Sequence, residues 1–327
     1  MKKYFFLLMT LLLSCHFYLS NAANLIVNLK APKEIKGDVS FMVDLKGHTS
    51  LGIGGPASIL ARPSDIESLK YILYRTKEMG MRILPIGGGT NMLVSDKGVD
   101  AVVICLKDLG ELRFIDDDTV DSAMVDAGSG VSLHRLITAA AQMGLCGLEP
   151  LSGIPGSVGG AIAGNAGSYG AEIKDYLVNI TVMGYDGTIT TINKDEIIFG
   201  YRTAEIKDCI IVGARFHLIR ARAIDESPME RIKSYLLKKR STQPIKERSA
   251  GCVFKNLKDV SAGKLIDMSG LKGTSVGGIM ISHIHANFFI NTGGGACDDF
   301  LKLMDIAHER IFKRYGIALE PEIRIIR

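Results

Sequence analysis

The sequence predicts an α+β protein, with a two-part domain reaching to about residue 222 and a smaller α+β domain after it. Three observations predict it. Residues 64–106 read as a helix, a buried strand, a loop and a second strand, the kind of unit that builds layers of sheet and helix. Residues 178–219 read as a hairpin followed by one long strand. The acidic, Pro-containing Asp225-Glu226-Ser227-Pro228 then marks a boundary, followed by a basic helix, a Gly-rich stretch, a long helix and a final strand. At 327 residues, 47% apolar and 23% charged, the chain can bury a core large enough for two domains.

Each element has a local cause. Lys2 and Lys3 precede an apolar run from Tyr4 to Leu13, and Ser20-Asn21-Ala22 has the small-x-small form of a cleavage site. Residues 1–23 are therefore set apart as an apolar leader or N-terminal extension, too short for a comfortable transmembrane helix. The turn-rich segment from His48 to Pro56 opens the first domain. From Ser64 to Met79, Ile66, Leu69, Ile72 and Leu73 form a buried stripe, with Ser64 as N-cap, Glu67 completing a capping box and Gly80 as the stop. Strands are expected at 82–86, 101–106 and 120–127, and Ser132 caps a helix that Gly144 ends. Two strands at 178–184 and 188–192 flank the turn Tyr185-Asp186-Gly187, and 210–219 supplies another. Helices are expected at 229–240 and 298–315. A final strand at 317–326 would carry Glu320, Glu322 and Arg324 on one face.

Between Ser152 and Gly170 the chain reads SGIPGSVGGAIAGNAGSYG, too rich in glycine for a stable helix or strand. Such a run suits close backbone approach, and a string of free N–H groups is what a pyrophosphate requires. Gly87-Gly88-Gly89-Thr90-Asn91 is a second glycine loop. Together they suggest one extended phosphorylated cofactor held from two sides. Neither loop is a P-loop, which needs GxxxxGK(S/T), or a dinucleotide fingerprint with its strand–GxGxxG–helix frame.

The formal charge of +4 is small and spread along the chain, which gives no case for nucleic-acid binding. Cysteines 105, 146, 209, 252 and 297 include no CxxC pair, so neither a metal site nor a disulfide framework is indicated. Three segments carry polar groups suited to chemistry. Phe199-Gly200-Tyr201-Arg202 offers a guanidinium in a loop, either a carboxylate or phosphate clamp or a plain surface ion pair. Ser249 to Asn256 gathers Cys252, Lys255 and Asn256, where the thiol is a proton donor, a nucleophile or simply a small buried residue. A Cys–His hydrolase using His283 or His285 has no local signature to support it. Glu320 and Glu322 beside Arg324 are a carboxylate site or a solvated face.

GGGTN at 87–91, the 152–170 segment, FGYR at 199–202, KRSTQP at 239–244, SAGCVFKN at 249–256, HANFFIN at 285–291 and LEPEIRII at 319–326 occur in one order. Together they closely resemble the UDP-N-acetylenolpyruvoylglucosamine reductase (MurB) family, over roughly residues 45–327. The resemblance implies an FAD-binding domain of the vanillyl-alcohol-oxidase (PCMH) type in two subdomains at 48–222, and a substrate domain at 223–327. It implies non-covalent FAD, because GGGTN lacks a flavinylation histidine, with NADPH as hydride donor and UDP-N-acetylglucosamine enolpyruvate as substrate. FAD would be held by Gly87, Gly88, Gly89, Thr90 and Asn91, and by Gly153, Ile154, Pro155, Gly156, Ser157, Gly159, Gly160, Asn165 and Gly167. Arg202 and Glu322 would stabilise an enolate-like intermediate, and Cys252, at a position where many relatives have Ser, would protonate it. Tyr201, Gln243, Lys255 and Asn256 resemble substrate-binding positions.

The short gap between Arg202 and the strand at 210 resembles the type II branch, which lacks an extra loop over the substrate. Ala204, Ile284 and Leu257 depart from the family's usual residues and remove polar or rigid elements near the substrate. The family implies a monomeric enzyme of peptidoglycan synthesis and cell-wall biogenesis, without metal, nucleic acid or a stable membrane partner. Its substrates place it in the cytoplasm, against the look of the leader. A flavin-dependent oxidase on the same cofactor fold and a non-catalytic nucleotide-sugar-binding module are the competing readings.

Overall fold

The apolar run Ala101–Cys105 needs cover on both faces, and the fold supplies it. In the computed structural model, which describes residues 35–116, 121–222 and 226–327, three β-sheets carry the architecture. The first contains β1 (Gly37–Asp44), β2 (Pro56–Pro63), β3 (Ile83–Ile86) and β5 (Val99–Cys105), in the order β1-β2-β5-β3. A short β4 (Met92–Val94) lies between β3 and β5 in the chain. β1 runs antiparallel to β2, while β2 and β3 run parallel to β5. Helix α1 (Ile66–Glu78) lays Leu69, Ile72 and Leu73 on one face against Ile59, Ala61, Val102 and Ile104. The other face packs Leu60, Leu84, Ile86 and Val103 with Ile326 from the chain end.

The N-cap of α1 is Asp65, one residue later than Ser64. Asp65 is extended and its carboxylate accepts from the Ser68 N–H at 2.8 Å, while the Ser64 N–H is held by the Lys36 carbonyl. Glu67 therefore sits in the first turn and forms no capping box. The Ser132 cap is as expected, its hydroxyl accepting from the Arg135 N–H.

The second sheet is antiparallel and runs in the order 189–193, 177–184, 209–220, β7 (Ser122–Gly128), β6 (Leu112–Asp116), with β6 the chain's earlier strand. The helix Leu133–Gln142 covers it with Leu133, Leu136, Ile137 and Ala140 around the fully buried Phe216. Residues 117–120, where one strand was expected to begin, lie outside the described residues, as does the leader at 1–23.

The third sheet joins Arg248–Cys252, Phe288–Asn291, Ile279–Ile281 and Ser275–Val276, all antiparallel. The helix Cys297–Tyr315 packs Phe300, Leu303, Met304, Ala307 and Ile311 behind it and ends at Gly316, whose φ of 67° is the left-handed C-terminal turn. The final segment is not one strand from 317 to 326. Only Arg324–Ile326 is strand, and it pairs parallel with β4. Upstream, Pro321 forms an isolated bridge with Phe254. Proline has no N–H for a continuing ladder, so the chain leaves Phe254 there and runs on to pair with β4, where Ile326 packs against the first sheet. Glu320 and Glu322 consequently do not share one solvated face: their side chains are 69% and 16% exposed.

Candidate active site

Arg202 occupies a strained turn. Phe199–Gly200 and Thr203–Ala204 pair as a two-stranded ribbon, so Tyr201 and Arg202 form the turn between them. Arg202 has φ 58°, in the position of a tight turn that favours Gly or Asn. Holding an arginine there costs about 1–3 kcal/mol, and such residues cluster where function requires them. Two contacts keep it in place. Its Nη1 donates to the Gly167 carbonyl at 2.8 Å, and the buried Asn165 donates from Nδ2 to the Gly200 carbonyl at 3.0 Å.

Glu322 reaches Arg202 because the C-terminal segment crosses between sheets. The Glu322 N–H donates to the Val253 carbonyl at 2.8 Å, and its carbonyl accepts from Asn91 Nδ2 at 3.1 Å. Its carboxylate Oε1 then lies 3.0 Å from Arg202 Nε. Burial pushes the Glu322 carboxyl above its usual value, while Arg202 and Lys255 pull it back.

Cys252 is placed by a β-bulge. The pairing of Arg248–Cys252 with Phe288–Asn291 shifts register between Ser249 and Cys252, where Gly251 adopts φ 78°. The same pair acts on the thiol: burial pushes it up to about 12, Glu322 adds to the rise, and Arg202 opposes it. Cys252 is therefore a thiol, not a thiolate, at neutral pH. Arg202, Cys252 and Glu322 are gathered into one half-buried cluster.

The two glycine loops also meet. A Cβ on Gly88 would lie 2.8 Å from the Gly156 Cα, and Thr90 Oγ1 donates to the Pro155 carbonyl at 3.2 Å. Among the described residues, no carbonyl or side chain accepts from the N–H groups of Gly88, Gly89, Thr90, Asn91 or Gly156.

Two family models match the chain: the UDP-N-acetylenolpyruvoylglucosamine reductase C-terminal domain over residues 243–326, and an FAD binding domain over residues 57–193. The UDP-N-acetylenolpyruvoylglucosamine reductase of Agathobacter rectalis is 39% identical over 295 residues, covering 86% of this chain and 92% of that protein. The chain belongs to the UDP-N-acetylenolpyruvoylglucosamine reductase family. The Geotalea uraniireducens member is 37% identical over 294 residues, covering 89% of this chain and 95% of its own. The crystal structure of the Thermus caldophilus reductase superposes with a TM-score of 0.74 at 34% identity, covering 90% of this chain and all of that one.

As a member of that reductase family the chain is an FAD-dependent oxidoreductase of α+β fold. Its own geometry fits the cofactor. The unpaired N–H groups where Gly88 meets Gly156 are what a pyrophosphate needs, and neither glycine could carry a side chain. Gly87 belongs with them, since a Cβ there would strike the Ser157 hydroxyl.

Gly159 packs on Ser129, Gly153 lies against the Lys239 side chain, and Asn165 and Gly167 brace the Arg202 turn. Ile154 packs at the margin of the second sheet's core, and Gly160 donates to the Ser157 cap. Lys255 pairs with Glu320, whereas the Asn256 side chain accepts from the Ala262 N–H at 3.1 Å and so caps a helix. Gln243 is half-buried just past the basic helix, and Tyr201 is exposed with its ring 5.3 Å from the Arg202 guanidinium carbon. Leu257 packs against the third core and Ile284 is exposed.

Sequence reading missed Lys239. It is 4% exposed and, among the described residues, has no carboxylate partner. Burial, with Arg202 nearby, lowers its pKa to about 8. Its Nζ lies 5.7 Å from the Tyr169 ring, which stacks on Tyr235 at 4.8 Å. Lysines are rarely buried, so its place at the head of KRSTQP gave no sign of this burial.

Proposed function

We propose that the chain catalyses the NADPH-dependent reduction of UDP-N-acetylglucosamine enolpyruvate to UDP-N-acetylmuramate, a cytoplasmic step of peptidoglycan synthesis. Residues 48–222 would hold FAD and residues 223–327 would present the substrate. FAD, held where the Gly87–Asn91 loop meets Gly156, would supply the two-electron chemistry that lets NADPH reduce the enolpyruvyl double bond. The protein's own residues must then manage the charge and the proton.

Reduction at C3 leaves an electron pair at C2, delocalised into the adjacent carboxylate. Arg202, fixed by Gly167 and Glu322, is suited to hold that developing charge in a partly dry site. The Cys252 thiol keeps its proton until so strong a base appears. Its S–H bond then breaks, the C2–H bond forms, and the thiolate recovers a proton from solvent. Lys239, a buried cation near Arg202, suits the substrate's carboxylate or phosphates. Lys255 and the exposed Tyr201 lie beside the same cluster and suit substrate contacts.

The observation that carries this reading is the Arg202–Glu322 pair at 3.0 Å with a protonated Cys252 facing it. NADPH oxidation by FAD-loaded enzyme, with and without UDP-N-acetylglucosamine enolpyruvate, tests it. The expected result is turnover that requires the sugar nucleotide. NADPH oxidation that depends only on oxygen would instead make the protein a flavin oxidase.

A further inference from the structure

A second strained residue, Tyr169, lies close to the Arg202 turn. Gly167–Ser168 pairs with Ala171–Glu172, so Tyr169 and Gly170 form a two-residue turn. Their φ values are 51° and 84°, the left-handed pair of a type I′ turn, where Asn-Gly is the preferred sequence. A tyrosine in the first of those places is an outlier, and such strain persists where a side chain is needed. The turn sets the Tyr169 ring against the helix Pro228–Thr242. Its centroid lies 4.8 Å from that of the Tyr235 ring and 5.7 Å from Lys239 Nζ, within the ~6 Å reach of a cation–π contact. Lys238 Nζ lies 5.5 Å from the Tyr235 ring, so each of the two stacked rings has its own lysine.

Lys239 is buried along its stem: it is 4% exposed, and a Cβ on Gly153 would lie 3.0 Å from its Cδ. The carboxylates on the neighbouring elements are engaged elsewhere, Glu149 with Arg231 and Glu172 with Lys174. The charged and titratable groups around the ammonium are Arg202 on the 199–204 ribbon, Tyr169 on the 167–172 hairpin, and Tyr235 and Lys238 on its own helix. Residues 152–156, against its stem, carry none. A carboxylate partner would consume the charge of a buried ammonium. The face of an aromatic ring attracts it without neutralising it.

We propose that Tyr169 is a positioning residue for Lys239: its ring holds the buried ammonium as a cation and leaves it free for the anionic group of the sugar nucleotide. Tyr169 acts through the lysine, and Tyr235 braces the ring from the helix side. This rests on the proposed role of Lys239 at that anionic group.

The test varies the ring while keeping a bulky side chain in the same turn. Tyr169→Leu preserves apolar cover over Lys239 but removes the negative face of the ring, so the ammonium should lose its proton more readily. The alkaline limb of kcat/KM for the sugar nucleotide, at about 8 in the parent, should then move lower. A shift of about half a pH unit to one unit is expected. Tyr169→Phe keeps the ring and should keep the limb at its parent position. In a Lys239→Met background the Leu and Phe variants should show the same profile, without the limb. A limb that stays in place in Tyr169→Leu, or moves equally in Tyr169→Phe, would overturn the proposal.

A separate readout needs no turnover. The chain has no tryptophan, so Tyr169→Trp places a single indole beside Lys239. Its fluorescence should titrate with a midpoint near 8, and the transition should vanish when Lys239→Met is added. Emission that stays flat through that range, or the same transition in the double variant, would overturn the contact. Should Tyr169→Leu not accumulate as folded protein, Tyr169→Met is carried through the same profiles and judged in the same way. If the parent enzyme itself does not reduce the sugar nucleotide, the functional reading fails instead, while the fluorescence titration still decides the contact between Tyr169 and Lys239.

Discussion

The Arg202 guanidinium and the Glu322 carboxylate lie 3.0 Å apart, although they come from a strained hairpin in one sheet system and a crossing segment between two others. Arg202 Nε is not aligned on the carboxylate as a hydrogen-bond donor, so the guanidinium keeps donors for a ligand. The contact fixes position without exhausting the group.

Arg202→Lys keeps the charge but loses the planar fork and the bond to the Gly167 carbonyl. Turnover should fall roughly 100- to 1,000-fold, the usual cost of a lost charge-stabilising donor. Reduction of the bound flavin by NADPH should change little. Stopped-flow absorbance of the two half-reactions separates these, and equal slowing of both would assign Arg202 a general structural role.

Lys239 titrates near 8 in the free protein because burial and Arg202 disfavour its charge. Its cation is therefore present below that pH and lost above it. On this account kcat/KM for the sugar nucleotide declines as pH rises through about 8. Lys239→Met should give a lower kcat/KM without that limb. A persistent decline in the variant would assign the titration to another group.

At Gly88 the two loops touch, and an added Cβ would meet the Gly156 Cα at 2.8 Å. Backbone on both sides leaves no flexible side chain to yield. Gly88→Ala should weaken FAD binding at least about tenfold, equivalent to about 1.4 kcal/mol. FAD titration of deflavinated protein, followed by flavin fluorescence, measures it. Wild-type affinity would remove this contact from the cradle.

Much of this was legible in the sequence where a local rule governs. The Ser132 cap, the stripe Leu69–Ile72–Leu73 and the glycine loops each carry their own physical signature. Glu320, Pro321 and Glu322 show the limit. Alternation placed both carboxylates on one strand face, but the bridge from Pro321 to Phe254 is a long-range pairing that periodicity does not encode. The same holds for Asn165 and Lys239, whose roles come from partners distant along the chain. Arg202 is legible only as a departure, since its left-handed turn position favours Gly or Asn.

The central claim, that Cys252 gives the proton that completes reduction, is tested most directly by single turnover of NADPH-reduced enzyme with UDP-N-acetylglucosamine enolpyruvate. In Cys252→Ala, flavin reduction by NADPH should stay within about twofold of the parent. Product formation should fall at least about 100-fold, the lower end of a general-acid contribution. Cys252→Ser should retain activity, because a hydroxyl can occupy the same place and donate. Product formation at the parent rate in Cys252→Ala would contradict the account.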